Sequence, residues 1–180
     1  MEQKKQSKLS NSVIFGLLSG FTLIIFSVVL FITGKYGSGV QYFGYLFLAA
    51  GIVVGTLNYR DKINGGYIDF GGSVGSGVLI SLFTSILLAI FVPIYMKYFN
   101  PGFVDEMMAK IQEEWAKKGM TEEQITVAEK YARMMFAPIP MFLLTLVGYM
   151  FMGTIITLLC SIFIKKERPP FDNITDQPPH

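Results

Sequence analysis

The sequence predicts an all-α integral membrane protein: a bundle of four transmembrane helices with an extracytoplasmic helical hairpin between spans three and four. Three observations predict this fold. Only 16% of the 180 residues are charged and 52% are hydrophobic, whereas soluble proteins carry about 25% charged residues. The apolar residues form four long runs, which is typical of membrane spans. One long polar interval, residues 100–136, separates the last two runs.

The four predicted spans belong to a single membrane domain that covers residues 1–180; they are residues 13–33, 40–57, 74–96 and 141–164. None of these runs contains Asp, Glu, Lys or Arg, and about 20 apolar residues cross a hydrocarbon core of about 30 Å. The first run is too long for a signal-peptide core and lacks a small-residue cleavage site, so we expect it to be retained. The proline-rich tail, residues 169–180, is predicted to be disordered.

Small residues four positions apart predict close helix packing in the first three spans. Such pairs let helix backbones approach each other where lipid provides no hydrophobic driving force. The predicted packing residues are Gly16, Gly20, Gly51, Gly55, Gly71 and Gly75. The glycine run at residues 71–77 lacks the Lys-Ser/Thr pair of a phosphate-binding loop and follows no predicted strand, so we expect it to begin a helix.

The distribution of basic residues predicts that both termini are cytoplasmic. Short loops and flanks on the cytoplasmic side of a span carry an excess of Lys and Arg. With four spans, the N-terminal arm, the second loop and the C-terminal flank lie on the same side, and the polar interval lies on the other. The cations of those three segments are Lys4, Lys5, Lys8, Arg60, Lys62, Lys165, Lys166 and Arg168, against Lys35 in the first loop.

The polar interval carries start and stop signals for two helices. Asn100 as a cap and Pro101 in the first turn are expected to begin the first helix. Gly119 is expected to end it in the left-handed conformation. Thr121 and Gln124 have the spacing of a capping box, which predicts that a second helix begins there. The chain therefore folds back on itself between the third and fourth spans.

Each helix of this predicted hairpin has an apolar stripe, which faces the other helix or the membrane surface. In the second helix the stripe consists of Ile125, Ala128, Ala132 and Met135. Exposed apolar stripes on polar helices are typical docking surfaces. The predicted partner-binding residues are Phe103, Met107, Ile111, Trp115 and Met135.

No group of residues in the sequence indicates catalysis. Catalysis needs a base, a nucleophile or a metal held in place, and the sole histidine, His180, ends the tail that is predicted to be disordered. The methionines of the polar interval have no Cys or His beside them, so they indicate gap filling between helices and not a copper site. Cys160 has no second cysteine to pair with. We expect no enzyme activity, no catalytic residue, no metal site and no cofactor.

Four short motifs carry a family resemblance. They are FGLLSG at residues 15–20, YRDK at 59–62, GGYIDFG at 65–71 and FNPGF at 99–103. Their order resembles that in small four-span bacterial membrane proteins grouped as domain of unknown function 4199, over about Ser7 to Lys166. The resemblance implies a multi-pass protein of the bacterial inner, or cytoplasmic, membrane. It implies no activity and no catalytic residues.

Three functions remain open. The first is a non-enzymatic membrane protein whose external hairpin binds a second copy of the chain or another membrane or periplasmic protein. The second is a small oligomeric permease or channel, which the hydroxyl side chains of spans three and four suggest. The third is an enzyme acting on lipids, which only the location supports. The bilayer itself is a partner in each case, and a net charge of +2 is too small to indicate nucleic-acid binding.

Overall fold

The computed structural model describes residues 7–35 and 38–168. In that part of the chain the helices are α1 (Lys8–Ile32), α2 (Gly44–Asn58), α3 (Phe70–Tyr98), α4 (Phe103–Lys117), α5 (Glu122–Met135) and α6 (Pro138–Ile164). Helices α1, α3 and α6, together with α2 and its flanking turns, are long and apolar enough to cross a membrane. The predicted all-α bundle of four spans is therefore confirmed. Lys4, Lys5, His180 and the predicted disordered tail lie outside the described residues.

The spans extend beyond the apolar runs because polar residues cap them. Ser7 caps α1 and Asp69 caps α3, and each side-chain oxygen accepts a 3.2 Å hydrogen bond from a backbone N–H three residues further on. The glycine run 71–77, predicted to begin a helix, forms the first turns of α3. A 3₁₀ turn before α2 and a π turn after it lengthen the second span to Gly39–Ile63. Pro138 occupies the first turn of α6, where its missing N–H costs no helical hydrogen bond.

Helix α3 lies at the centre of the bundle, and α1, α2 and α6 pack against it. In the most apolar stretch of α3, 44% of the residues are buried, compared with 11% in α6. Helix α6 is therefore the peripheral span, and much of its surface is left for lipid or for a neighbour. The central apolar cluster consists of Leu23, Leu48, Ile52, Ile80 and Leu88.

Four of the predicted packing glycines lie where a neighbouring helix leaves no room for a Cβ atom. A Cβ atom on Gly16 would lie 2.5 Å from the Cβ atom of Phe83 and 2.9 Å from the carbonyl oxygen of Ile80. The same close approach, within 3.0 Å of a neighbouring side chain, occurs at Gly20, Gly51 and Gly55. These contacts hold α1 against α3 and α2 against α1 and α3.

The other two predicted packing glycines have different surroundings. Among the described residues, a Cβ atom on Gly71 would meet only the carboxylate that caps its own helix, at 3.4 Å, and one on Gly75 would meet the flexible end of Lys8. The close contact between α3 and α6 involves Gly77 and Gly153 instead, where an added Cβ atom would lie within 3.0 Å of a side chain on the facing helix. Helix α6 therefore covers the Gly77 face of α3.

Polar contacts close the end of the bundle at which α1 and α3 begin and α2 and α6 finish, here called the basic end. Arg60 donates from Nη1 to the carbonyl oxygen of Ile164 at 2.9 Å, which joins the exit of α2 to the exit of α6. Ile68, in the link between α2 and α3, pairs with Lys166 through two backbone hydrogen bonds of 2.9 and 2.8 Å. The basic residues at this end are Lys8, Arg60, Lys62, Lys165, Lys166 and Arg168.

Helix α4, beyond the opposite end of the bundle, begins later than predicted. Gly102 occupies the cap position, and the N–H of Phe103 donates to the carbonyl oxygen of Asn100 at 3.1 Å in a turn that precedes the helix. The prediction that Asn100 caps the helix, with Pro101 in its first turn, is therefore wrong. Gly119, with φ of 81°, ends the helix as predicted, and the predicted capping box opens α5.

Candidate functional site: the polar helix pair and the buried hydroxyls

Helices α4 and α5, joined by a short turn, form a polar helix pair that carries several exposed ion pairs. Arg133 of α5 donates from Nη1 to Asp105 of α4 at 2.7 Å and from Nε to Glu129 at 2.8 Å. The hydrogen bonds to Glu129 and Asp105 raise the pKa of Arg133. On α4, the hydrogen bond from Lys117 holds the pKa of Glu113 below its usual range. Of these three ion pairs, Arg133–Asp105 joins the two helices. Because exposed ion pairs contribute little free energy, it orients the two helices more than it stabilises them.

An aromatic cluster attaches α4 to the bundle. Phe103 is only 5% exposed, and its ring meets that of Phe31 edge-on, with 5.3 Å between the ring centroids. Tyr95 stacks on Phe31 at 4.2 Å, and Val92 and Met96 of α3 belong to the same buried cluster. The first residue of the predicted partner-binding stripe is therefore packed inside the chain's own fold.

The rest of that predicted stripe is also largely covered. Met107 packs against the aromatic cluster, and Ile111 and Trp115 are half-buried. Met135 of α5 is 53% exposed. Of the five residues predicted to bind a partner, the structure therefore places only Met135 on an open surface.

The most exposed apolar side chains of α5 lie outside the predicted stripe, apart from Met135, which belongs to both. The predicted residues Ile125, Ala128 and Ala132 are half-buried. A second row, here called the exposed strip, is more than half exposed in each member; it consists of Val127, Tyr131, Met134 and Met135. A groove of about 480 Å³ borders it, lined by Met120, Glu123, Gln124, Val127 and Ala128. The spacing of four from Val127 through Tyr131 to Met135 is the sequence signal that could have identified this row.

Four buried hydroxyl side chains, one from each span and each in the half of its span nearer the basic end, are here called the hydroxyl cluster. Its members are Ser12, Thr56, Ser76 and Thr157, each at most 1% exposed. Their oxygens have no hydrogen-bond partner among the described residues. Helical Ser and Thr commonly donate to the carbonyl four residues back, as Thr84 does to Ile80 at 2.9 Å. The sequence showed hydroxyls in the spans, but not which of them lack an acceptor.

A buried asparagine lies beside this cluster. Asn11 is completely buried, although it precedes the first predicted span. Its Nδ2 donates to the carbonyl oxygen of Gly55 at 2.9 Å, and its Oδ1 accepts from Nδ2 of Asn58 at 2.7 Å. Sequence reasoning missed this residue, because its partners are more than forty positions away and no local pattern indicates them.

We expect Asn11→Ala to lower the free energy of unfolding by about 1–2 kcal/mol, because it removes the two buried hydrogen bonds that join Asn11 to the Gly55 carbonyl and to the Asn58 amide. Denaturant titration in detergent measures this change. The control is Thr22→Ala, since the Thr22 hydroxyl is exposed and bonds only within its own helix; its effect is expected to stay within about 0.5 kcal/mol. Equal effects of the two variants would contradict the role given to Asn11.

A second cavity, of about 220 Å³, lies between α1, α2 and α6. Its polar groups are hydroxyls and one amide, and no charged side chain lines it. Tyr42 and Tyr45, at the start of the second span, are part of the wall. The lining residues are Phe26, Ser27, Leu30, Gln41, Tyr42, Gly44, Tyr45 and Tyr149. A neutral lining of this kind suits a small uncharged molecule better than an ion.

Comparison with known proteins places the chain in a family. The family model described as "Protein of unknown function (DUF4199)" matches residues 14–166, which span all four membrane helices and the polar helix pair. No match to the chain was found among curated proteins or among solved structures. The four apolar helices make it a multi-pass membrane protein. The predicted family is therefore confirmed: the chain belongs to the DUF4199 family, whose members are proteins of unknown function.

Proposed function

We propose that this chain is a non-enzymatic protein of the bacterial inner membrane that assembles with a second copy of itself through the polar helix pair. The observation that carries the proposal is the exposed strip, Val127, Tyr131, Met134 and Met135. Helix α5 has no buried residue, yet it presents these large apolar side chains outside the membrane spans. An apolar patch in contact with water is typical of an interaction surface.

The exposed apolar face of α6, the helix that follows α5 in the chain, favours a membrane-embedded partner. Its Ile139, Leu143 and Val147 are more than half exposed. Lipid alone covers such a span face adequately, whereas α5 lies outside the spans, where a protein partner can cover its strip. A second copy of the chain presents the same two surfaces and can cover both in a two-fold arrangement.

Cysteine crosslinking tests this assembly. In a Cys160→Ser background, Tyr131→Cys on the exposed strip is expected to give a covalent dimer in membranes treated with a short bifunctional maleimide. Lys117→Cys is the matched control, because its side chain is 71% exposed but lies on α4 and away from the strip. A Tyr131→Cys sample that stays monomeric, or one that crosslinks to a different protein, would contradict the proposed partner.

The proposed orientation places the polar helix pair in the periplasm. The basic residues gathered at the opposite end support this, because Lys and Arg are enriched on the cytoplasmic side. Alkaline phosphatase inserted after Gly119 is therefore expected to be active, and a fluorescent protein inserted there and exported unfolded is expected to be dark. The same two reporters at the C-terminus serve as the control and should give the opposite pair of results. An inactive phosphatase after Gly119 would reverse the topology.

An oligomeric permease is the second candidate. The hydroxyl cluster and the uncharged cavity beside α6 favour it, because polar groups inside a span bundle line the paths of many transported molecules. Purified protein in liposomes would then release a small neutral solute, such as glycerol, faster than empty vesicles do. Release at the rate of empty vesicles removes this candidate and leaves the assembly proposal unaffected.

A further inference from the structure

The hydroxyl cluster differs from the other hydroxyls of the bundle. Ser19, Ser81 and Thr154 each donate to the carbonyl four residues back, at 2.7 to 2.9 Å. The four hydroxyls of the cluster make no such bond in the part of the chain that the structure describes, and they are completely or almost completely buried. A buried polar group without a partner is costly, and native proteins rarely contain four of them together.

The helix register brings the four hydroxyls within about one turn of each other along the bundle. Gly16 of α1 touches Ile80 of α3, and the two helices run in the same direction. One turn back on each helix, Ser12 therefore lies opposite Ser76.

The other two members lie within about one helical turn of that level, on α6 and α2. Gly77, next to Ser76, lies against Thr157 of α6 and against Ile52 of α2. Thr56 follows Ile52 by one turn and is on the same face of α2. All four spans thus contribute one hydroxyl to the same region of the interior.

The chemistry of the cluster suits a neutral molecule that both donates and accepts hydrogen bonds. The four side chains have no charge, whereas proteins bind calcium and magnesium largely through carboxylates. Buried water makes two to four hydrogen bonds to buried polar groups that otherwise have no partner. Polar groups also lead from the surface to the cluster, since half-exposed Asn58 bonds to buried Asn11, which adjoins Ser12.

We propose that the hydroxyl cluster is a hydration site inside the bundle, in which ordered water joins α1, α2, α3 and α6. The water supplies the hydrogen bonds that the four hydroxyls lack, and the Asn58–Asn11 pair connects the site to the basic end. The site is independent of the exposed strip, so the assembly proposal can fail without affecting it.

Threonine-to-valine substitution is expected to shift the thermal midpoint in opposite directions for a hydrated and a dry cluster. The substitution removes the hydroxyl group and nearly keeps the shape of the side chain. If water fills the site, Thr56→Val and Thr157→Val each lower the thermal midpoint of the full chain in detergent, by about 2–4 °C. If the cluster is dry, the same variants raise the midpoint. Thr154→Val, on α6, is the matched control, because its hydroxyl already bonds to Met150 at 2.8 Å; its midpoint should stay within about 1 °C.

A measurement on the unmodified protein checks the hydration directly. Threonine methyl groups labelled for NMR in detergent micelles should show a nuclear Overhauser cross peak to water for Thr56 and Thr157. An unchanged or raised midpoint in both valine variants overturns the proposal. So does the absence of both cross peaks, even when the midpoints fall, because the variants would then act by disturbing the packing alone.

Discussion

Alanine at Gly16 is expected to destabilise the bundle by about 1–3 kcal/mol, the range typical of overpacking a tightly packed interior. The added methyl group would lie 2.5 Å from the Cβ atom of Phe83 and 2.9 Å from the Ile80 carbonyl oxygen. Backbone and Cβ atoms cannot move aside as the end of a flexible side chain can, so α1 and α3 must separate. The separation also weakens the 3.0 Å hydrogen bond from Thr84 to the Gly16 carbonyl. Denaturant titration in detergent measures the change in unfolding free energy.

The matched control for Gly16→Ala is the same substitution at Gly148 in α6. No described atom of another part of the chain lies within 4 Å of a Cβ atom at Gly148. Alanine also has a higher helix propensity than glycine, by about 1 kcal/mol. Gly148→Ala should therefore be neutral or stabilising. If both alanine variants lose the same stability, the losses come from some general effect of the substitution, and the close approach of α1 to α3 does not explain them.

Phe103→Ala is expected to release the polar helix pair from the bundle, at a cost of about 3 kcal/mol, because it removes a buried ring and leaves a cavity. The ring is packed among Phe31, Val92 and Met96. The spans do not depend on this contact, so they should stay folded while α4 becomes accessible. Limited proteolysis with trypsin measures the release as faster cleavage after Lys110 and Lys117.

The control for Phe103→Ala is Val127→Ala, which removes apolar surface that is already 53% exposed. Its trypsin pattern should match that of the unmodified protein. Unchanged cleavage of Phe103→Ala would mean that the helix pair is held by something other than the aromatic cluster. Slower cleavage of Phe103→Ala would contradict the role of the cluster outright.

The features that sequence reasoning predicted correctly are the local ones. A membrane span can be recognised from the sequence because its length and its lack of charge are properties of one continuous stretch of residues. The capping box of α5 and the left-handed Gly119 involve residues only three or four positions apart, so their spacing suffices. Asn100 shows the limit of such signals, because it has the composition of a cap but lies in the turn that precedes α4.

The features that sequence reasoning missed depend on which helix lies beside which. Gly71 and Gly77 both belong to small-residue pairs in α3, but α6 covers only the Gly77 face. Helix α5 has two apolar rows, and the contact with α4 determines which of them is covered. In the sequence, Asn11 is only a polar residue that precedes a span. Its buried role becomes clear from its hydrogen bonds to Gly55 and Asn58 in the fold. No single-helix pattern contains this information.

The two backbone hydrogen bonds between Ile68 and Lys166 have a consequence for how this end of the molecule tolerates change. Backbone hydrogen bonds do not depend on which side chain stands at position 166, so most replacements of Lys166 keep both bonds. Proline is the exception, because it has no N–H to donate to the Ile68 carbonyl. The charge at position 166 can therefore change while the end of α6 stays bonded to the link that precedes α3.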